Sequence, residues 1–288
     1  MQALATRTWS REARHHPGQV AWSARHAQGD DQGADSGAAR LWREDGVVAG
    51  WAWAEQPTWL ELCVDRDHPW VTDIARDAVA WFLARAPDLP TRTMVLRSEH
   101  HLLDVLNEAG FIEAGVVEKG VPWFTYHHLE LDRLPEVPTT PGYRLRPIEP
   151  DEAAPRAACH RAAWSAPGQP SRVTTTSYAA LMRTPPYRSD LDWVALAPDG
   201  AWVGSCLVWL DPTTEVALVE PVGCAPDHRR NGLASAVSIA ALHAARNAGA
   251  REALVCPRGD RDYLAPQALY QGMGFEPGER TVTLVREP

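Results

Sequence analysis

The stretch Glu220-Pro-Val-Gly-Cys-Ala-Pro-Asp-His-Arg-Arg-Asn-Gly-Leu-Ala-Ser-Ala-Val237 decides the fold. An apolar strand pattern, Val216 to about Cys224, runs into a short polar turn. The turn opens onto a small-residue helix, Leu233 to Asn247, closed by Gly249. At the junction stands Arg229-x-x-Gly232-x-Ala234. A helix N-terminus carries unpaired N–H groups and a partial positive charge, which makes it a seat for anions. Gly232 and Ala234 keep bulk away from that seat, and Arg229 and Arg230 add charge to it. This pattern predicts a cradle for a pyrophosphate.

A second segment follows at a compatible distance. Leu254-Val-Cys256 reads as a strand, and Ala265-Pro-Gln-Ala-Leu-Tyr-Gln-Gly-Met-Gly-Phe275 as a helix with its exit. Gly232 to Tyr270 leaves room for one helix, one strand and a second helix. Together, Pro-Asp-His-Arg followed by Arg-x-x-Gly-x-Ala, and then the Leu-Tyr helix ending in Gly-Phe, resemble the acyl-CoA-binding core of the GNAT superfamily of N-acyltransferases. The resemblance implies an α/β (α+β) fold with a mixed, mostly antiparallel central sheet flanked by helices.

Composition sets the outer bounds. The chain has 288 residues, 45% hydrophobic and 23% charged, a soluble-globular balance long enough for two domains. No apolar run approaches membrane length and the N-terminus lacks a signal-peptide core, so no membrane partner and a cytoplasmic location are expected. Cys63, Cys159, Cys206, Cys224 and Cys256 are odd in number and widely spaced, as reduced thiols would be. The net charge of -9 speaks against a nucleic-acid partner. Its excess lies in the first half, with 21 Asp+Glu against 13 Lys+Arg over residues 1–142. The pairs His15-His16, His100-His101 and His127-His128 have no metal-ligand spacing, so no metal is expected.

Leu134-Pro-Glu-Val-Pro-Thr-Thr-Pro-Gly142 reads as a stiff connector. It divides the chain into residues 1–134, a linker 135–142, and residues 143–288. This division predicts that residues 136–288 alone keep the donor site but show exposed apolar surface and weakened acceptor turnover. After the connector, residues 143–148 alternate like a first strand, and Asp151 is placed to cap a helix ending near Trp164. Gly29-Asp-Asp-Gln-Gly-Ala-Asp-Ser-Gly37 reads as an exposed loop.

The first half echoes the second. Val64-Asp-Arg-Asp-His68 parallels Cys224-Ala-Pro-Asp-His228, and Val105-Leu-Asn-Glu-Ala-Gly-Phe111 parallels Leu269-Tyr-Gln-Gly-Met-Gly-Phe275. Val47-Val-Ala-Gly-Trp-Ala-Trp53 likewise parallels Val203-Gly-Ser-Cys-Leu-Val-Trp209. The layout is similar to tandem GNAT proteins of the mycothiol synthase type. In the first copy Pro69-Trp70 stands where the Arg-x-x-Gly turn would be, and Leu106 where the second copy has Tyr270. The first copy is therefore expected to be degenerate and noncatalytic. Its tryptophans (Trp42, Trp51, Trp53, Trp59, Trp70 and Trp81) either line a channel or pack core and interface.

The resemblance also implies roles for particular residues. Acetyl-CoA would be the acyl donor. It would be held by the backbone of Val222, Gly223 and Cys224 and by the turn Arg229, Arg230, Asn231, Gly232, Leu233, Ala234 and Ser235. The strand backbone would also polarise the thioester carbonyl. A bound amine would attack directly, with Tyr270 as the acid that protonates the leaving thiolate. The family's strand glutamate falls, counted back from Arg229, on Leu218. Glu220 lies two residues further on the same face by strand alternation, as base, as substrate orienter or as the partner of an arginine. His160 and His228 are weaker choices.

Residues 164–187 would form the acceptor wall. Their prolines and aromatics fit a small-molecule amine better than a protein or peptide amine. A noncatalytic acyl-CoA sensor would keep the turn without needing Tyr270 and Glu220, and a scaffold would need neither. Oligomeric state is left as monomer or homodimer.

Overall fold

A computed structural model describes residues 1–26, 37–86, 88–117, 121–165, 169–259 and 263–288. Most of the 29–37 loop, Lys119 and part of the acceptor wall lie outside the described residues.

The first half runs α1 (Gln2–Arg7), α2 (Pro17–His26), β1 (Ala38–Glu44), β2 (Val47–Gln56), β3 (Trp59–Val64), α3 (Val71–Leu83), β4 (Thr91–Leu96), α4 (His100–Glu108), β5 (Ile112–Glu113), α5 (Ala114–Val117) and β6 (Thr125–Glu130). The second half runs β7 (Arg144–Pro147), α6 (Ala153–Trp164), α7 (Thr175–Met182), β8 (Asp192–Leu196), β9 (Trp202–Asp211), β10 (Val216–Cys224), α8 (Leu233–Asn247), β11 (Glu252–Val255), α9 (Ala265–Gly272) and β12 (Glu276–Arg286). No helix among the described residues is long and apolar enough to cross a membrane.

The strands form one 12-stranded sheet in the order β1-β2-β3-β4-β12-β6-β11-β10-β9-β8-β7, with β5 beside β12. Only β3/β4 and β10/β11 pair in parallel; the other named pairs are antiparallel. The fold is therefore mixed and mostly antiparallel, with helices flanking it. Each half contributes one parallel pair, at matching places in the repeat.

The helix after the decisive turn runs over its predicted residues. Its alanines let it lie close on the sheet, burying Leu233, Val237, Ile239 and Leu242. Gly249 takes φ +107 beyond it, and the N–H groups of Gly249 and Ala250 bond to Arg246 O and Ala245 O. This is a Schellman stop, which needs glycine's left-handed freedom. The helix ending at Trp164 starts from Glu152 rather than Asp151 and has no side-chain cap. The Glu152 carboxylate instead binds Arg146 and the N–H of Glu149.

The two halves exchange strands. β6, from the first half, pairs with β11 at Glu252↔Glu130 through Val255↔His127. β12, the last strand of the chain, pairs with β4 from Thr281↔Leu96 through Arg286↔Thr91. The cores follow: Leu129, Leu131 and Leu134 pack with Val237, Tyr270 and Phe275, while Val282 and Leu284 pack with Phe82 and Leu102. The connector is fastened too, since His243 Nε2 lies 2.9 Å from Pro135 O. Residues 136–288 alone would lack β6, the strand between β11 and β12, and so would not carry an intact sheet. Local patterns encode strands but not which half a strand joins.

Candidate active site

β10 and β11 pair only at Val216↔Glu252, Ala217↔Ala253 and Leu218↔Leu254. Beyond Leu218 they part. β10 continues against β9 alone, with Val222↔Cys206, Gly223↔Ser205 and Cys224↔Gly204. The other edge of β10 at residues 222–224 therefore has backbone groups with no strand partner among the described residues. The register shifts between Val219 and Val222, around Glu220-Pro221, so strand alternation does not carry simply from Leu218 to Glu220. Leu218 is enclosed in the core.

The open edge leads into the phosphate turn. Arg230 and Gly232 both take left-handed φ, 66 and 73, and Gly232 is the N-cap of α8. A Cβ at Gly232 would meet nothing within 4 Å, so the seat in front of the helix is open. The first intrahelical bond in the turn is Ala236 N to Gly232 O at 2.9 Å, which leaves the N–H groups of Leu233, Ala234 and Ser235 for an anion. Arg230, Asn231 and Gly232 are exposed.

Arg229 does structural work as well. Its guanidinium donates to Cys224 O and to Ala163 O, both at 3.1 Å, tying the turn to the end of α6. Asn231 Nδ2 donates to His228 O at 3.2 Å. The His228 ring packs edge-on against Tyr143, whose hydroxyl lies 3.1 Å from Nδ1. That contact supports the turn and points to no catalytic part for His228.

Glu220 is half-buried at the start of the opening. Burial pushes its carboxyl up to about 7, and the charge of Arg14 acts against that rise. Tyr270, on α9, is buried with its ring edge-on to Phe275 at 5.7 Å. Burial drives its phenol well above the usual range, and Cys206, Cys256 and Glu220 add to the rise. The charge of Glu220 thus acts on both Tyr270 and Cys256. The Cys256 thiol is also pushed well up by burial, as is Cys206, to about 12. Neither is a thiolate nucleophile at neutral pH.

A carboxyl held near neutrality and a phenol that stays protonated have the proton affinities that a general base and a general acid need. No group of three or more His, Cys, Asp or Glu side chains that could hold a metal occurs among the described residues.

The acceptor side differs from the expectation in one respect. Tyr178 faces the core: its hydroxyl donates to Asp192 at 2.5 Å, Tyr187 donates to the same carboxylate at 3.1 Å, and Arg156 pairs with it at 2.8 Å. Arg156 and Asp192 are fully enclosed, so the hydroxyls of these tyrosines satisfy a buried charge pair. Trp164 is the aromatic that reaches the open edge. It is 53% exposed, and a Cβ on Gly223 would come within 2.7 Å of its Nε1. His160 stacks on it at 5.9 Å, and Trp22 of α2 packs against His160 at 5.5 Å.

The tryptophans of the first half form no single face. Trp51 and Trp53 are core, Trp42 donates to Asp77, Trp59 donates to Glu61, and Trp70 is exposed at the start of α3. Sequence reading missed Trp209, whose Nε1 donates to Glu220 O at 2.7 Å. It also missed Arg14, which pairs with Glu61, and Tyr126, whose hydroxyl donates to Arg14 O at 2.9 Å. No short motif marks these residues.

Comparison with known proteins agrees with the geometry. Residues 158–275 match the acetyltransferase (GNAT) family. Among solved structures, the chain is similar to a GCN5-related N-acetyltransferase from Sphaerobacter thermophilus, at 18% identity over 95% of this chain and 87% of that one, with a TM-score of 0.64. It is also similar to a tandem GNAT protein from the clavulanic acid biosynthesis pathway, at 22% identity over 99% and 92%, again with a TM-score of 0.64. A GNAT-family acetyltransferase from Colwellia psychrerythraea aligns at 12% identity over 93% and 96%, with a TM-score of 0.59. A search of curated proteins found no match.

Proposed function

Because residues 158–275 carry a GNAT acetyltransferase domain, we propose that the chain transfers an acetyl group from acetyl-CoA to a primary amine of a small molecule. One observation carries this reading: the open edge of β10 at residues 222–224 runs directly into the open anion seat at Gly232. Val222, Gly223 and Cys224 would bond the pantetheine arm. The turn from Arg229 to Ser235 would take the pyrophosphate.

Glu220 then accepts a proton from the incoming ammonium, directly or through water, and the free amine attacks the thioester carbonyl. The C–S bond breaks as the amide C–N bond forms. Tyr270 gives its proton to the leaving sulfur, and the second proton of the attacking nitrogen leaves to water as the amide forms. Water returns one proton to Tyr270, and Glu220 releases the proton it took to solvent. The half-buried Cys256, whose thiol is held well above its usual range, gives no support to an acyl-enzyme step. The indole of Trp164 beside Gly223 suits a shaped pocket for a small amine. The first half, with Trp70 in place of the glycine turn, is the noncatalytic copy in this reading.

The test is thiol release from acetyl-CoA across a panel of amines, with the donor also titrated alone. Turnover with a small amine is expected. Donor binding without turnover for any small or peptide amine would favour a sensor. Turnover confined to peptide amines would move the acceptor class.

A further inference from the structure

In the first copy, β3 and β4 pair in parallel only at Trp59↔Arg92 and Leu60↔Thr93. This is the counterpart of β10/β11, and here too the far ends part. The chain's own N-terminal segment lies in that opening. His15 Nε2 is 3.0 Å from Leu62 O, and the Arg14 N–H bonds to the Glu99 carboxylate, which also accepts the Leu96 N–H at 2.8 Å. Arg66 and Ser98 donate to Glu12 O at 2.8 and 3.3 Å. The space left between Thr8, Ala13, Cys63 and His101 is about 10 Å³, room for one water.

The same segment then crosses to the second copy. His16 Nε2 lies 3.3 Å from Val216 O, and Gly18 lies flush on Trp209, where a Cβ would sit 2.2 Å from the indole-bearing Cβ. The Trp209 Nε1–H is the donor to Glu220 O.

We infer that residues 10–22 are an internal positioning strap: seated in the parted strand pair of the first copy, they fix Trp209 and, through it, the backbone of Glu220 in the second. The inference rests on the reading of Glu220 as the base. It gives the degenerate copy a purpose, since the cleft that lost its phosphate turn now anchors an element of its sister's site. His15 is neutral at physiological pH, because burial lowers it to about 4, so it is a fixed N–H donor to Leu62 O.

The test uses the full chain. Gly18→Ala forces strap and indole apart, and His15→Ala cuts the anchor, whereas His15→Gln keeps a donor for Leu62 O. Gly18→Ala and His15→Ala are expected to lower kcat by about tenfold to a hundredfold, as a displaced reacting group does, with acetyl-CoA affinity unchanged. His15→Gln should restore kcat. If Gly18→Ala does not fold, Trp209→Phe, which deletes the N–H to Glu220 O, carries the same expectation. Unchanged kcat in folded variants, or equal losses in His15→Ala and His15→Gln, would overturn the inference.

Amide hydrogen exchange without ligand gives an independent readout. Residues 219–223 should exchange faster in His15→Ala and not in His15→Gln, and equal protection in both overturns the inference. Failure of the wild type to bind acetyl-CoA would instead overturn the acyltransferase reading, leaving the exchange result to decide on the strap.

Discussion

The two parallel strand pairs of this chain are alike where they pair and differ at their open ends. At β10/β11 the parted strands lead into Gly232, with open space before the helix. At β3/β4 they lead into Pro69-Trp70, and the gap is taken by residues 12–15. A parted strand pair is by itself only a cleft. In the proposed reading the glycine turn makes one of them a donor site, and without that turn the other cleft holds protein.

The largest expected effect comes from giving the second turn the first one's residue. Gly232→Trp places an indole in the anion seat and adds strain at a left-handed φ, which costs on the order of 1 kcal/mol and should leave the fold intact. Acetyl-CoA binding, read by calorimetry, should be lost. Retained affinity would show that the turn is not the cradle.

The next two substitutions separate base from acid. Glu220→Gln should lower kcat by about 10²- to 10⁴-fold and flatten the rising limb of the pH–rate curve near 7. An unaltered limb with a raised acceptor KM would make Glu220 a substrate-orienting residue. Tyr270→Phe should preserve packing and donor binding while lowering kcat, by about 10²-fold. Unchanged turnover would assign Tyr270 to the core alone.

A smaller effect concerns stability. The folded Glu220 carboxyl titrates at about 7 against its ordinary 4.5, so between those values the folded state keeps a proton the unfolded chain has lost. Stability contributed by this group therefore falls as pH rises through that window and levels off above it. Glu220→Gln should stabilise the protein by up to about 3 kcal/mol at pH 8 and by almost nothing at pH 4. Thermal unfolding at the two pH values checks this, and an equal change at both would contradict the shifted carboxyl.

Much of this site was legible in the sequence because its parts are local. A strand entering a helix through Gly232, a helix stopped by Gly249 and the helix bearing Tyr270 are each specified by neighbours in the chain. Glu220 was legible as a candidate, but its surroundings were not. They come from Arg14, Tyr126 and Trp209, brought together by strand exchange and by the strap, and no periodicity records contacts across that many residues. Tyr178 shows the converse: it falls in the segment expected to form the acceptor wall, yet its hydroxyl turns inward to the buried carboxylate of Asp192.

The central claim is that one copy binds the donor and the other cannot. Calorimetric titration of the intact chain with acetyl-CoA tests it most directly. One site per chain, abolished by Gly232→Trp, is the predicted result; two equivalent sites, or a single site that survives that substitution, would contradict it.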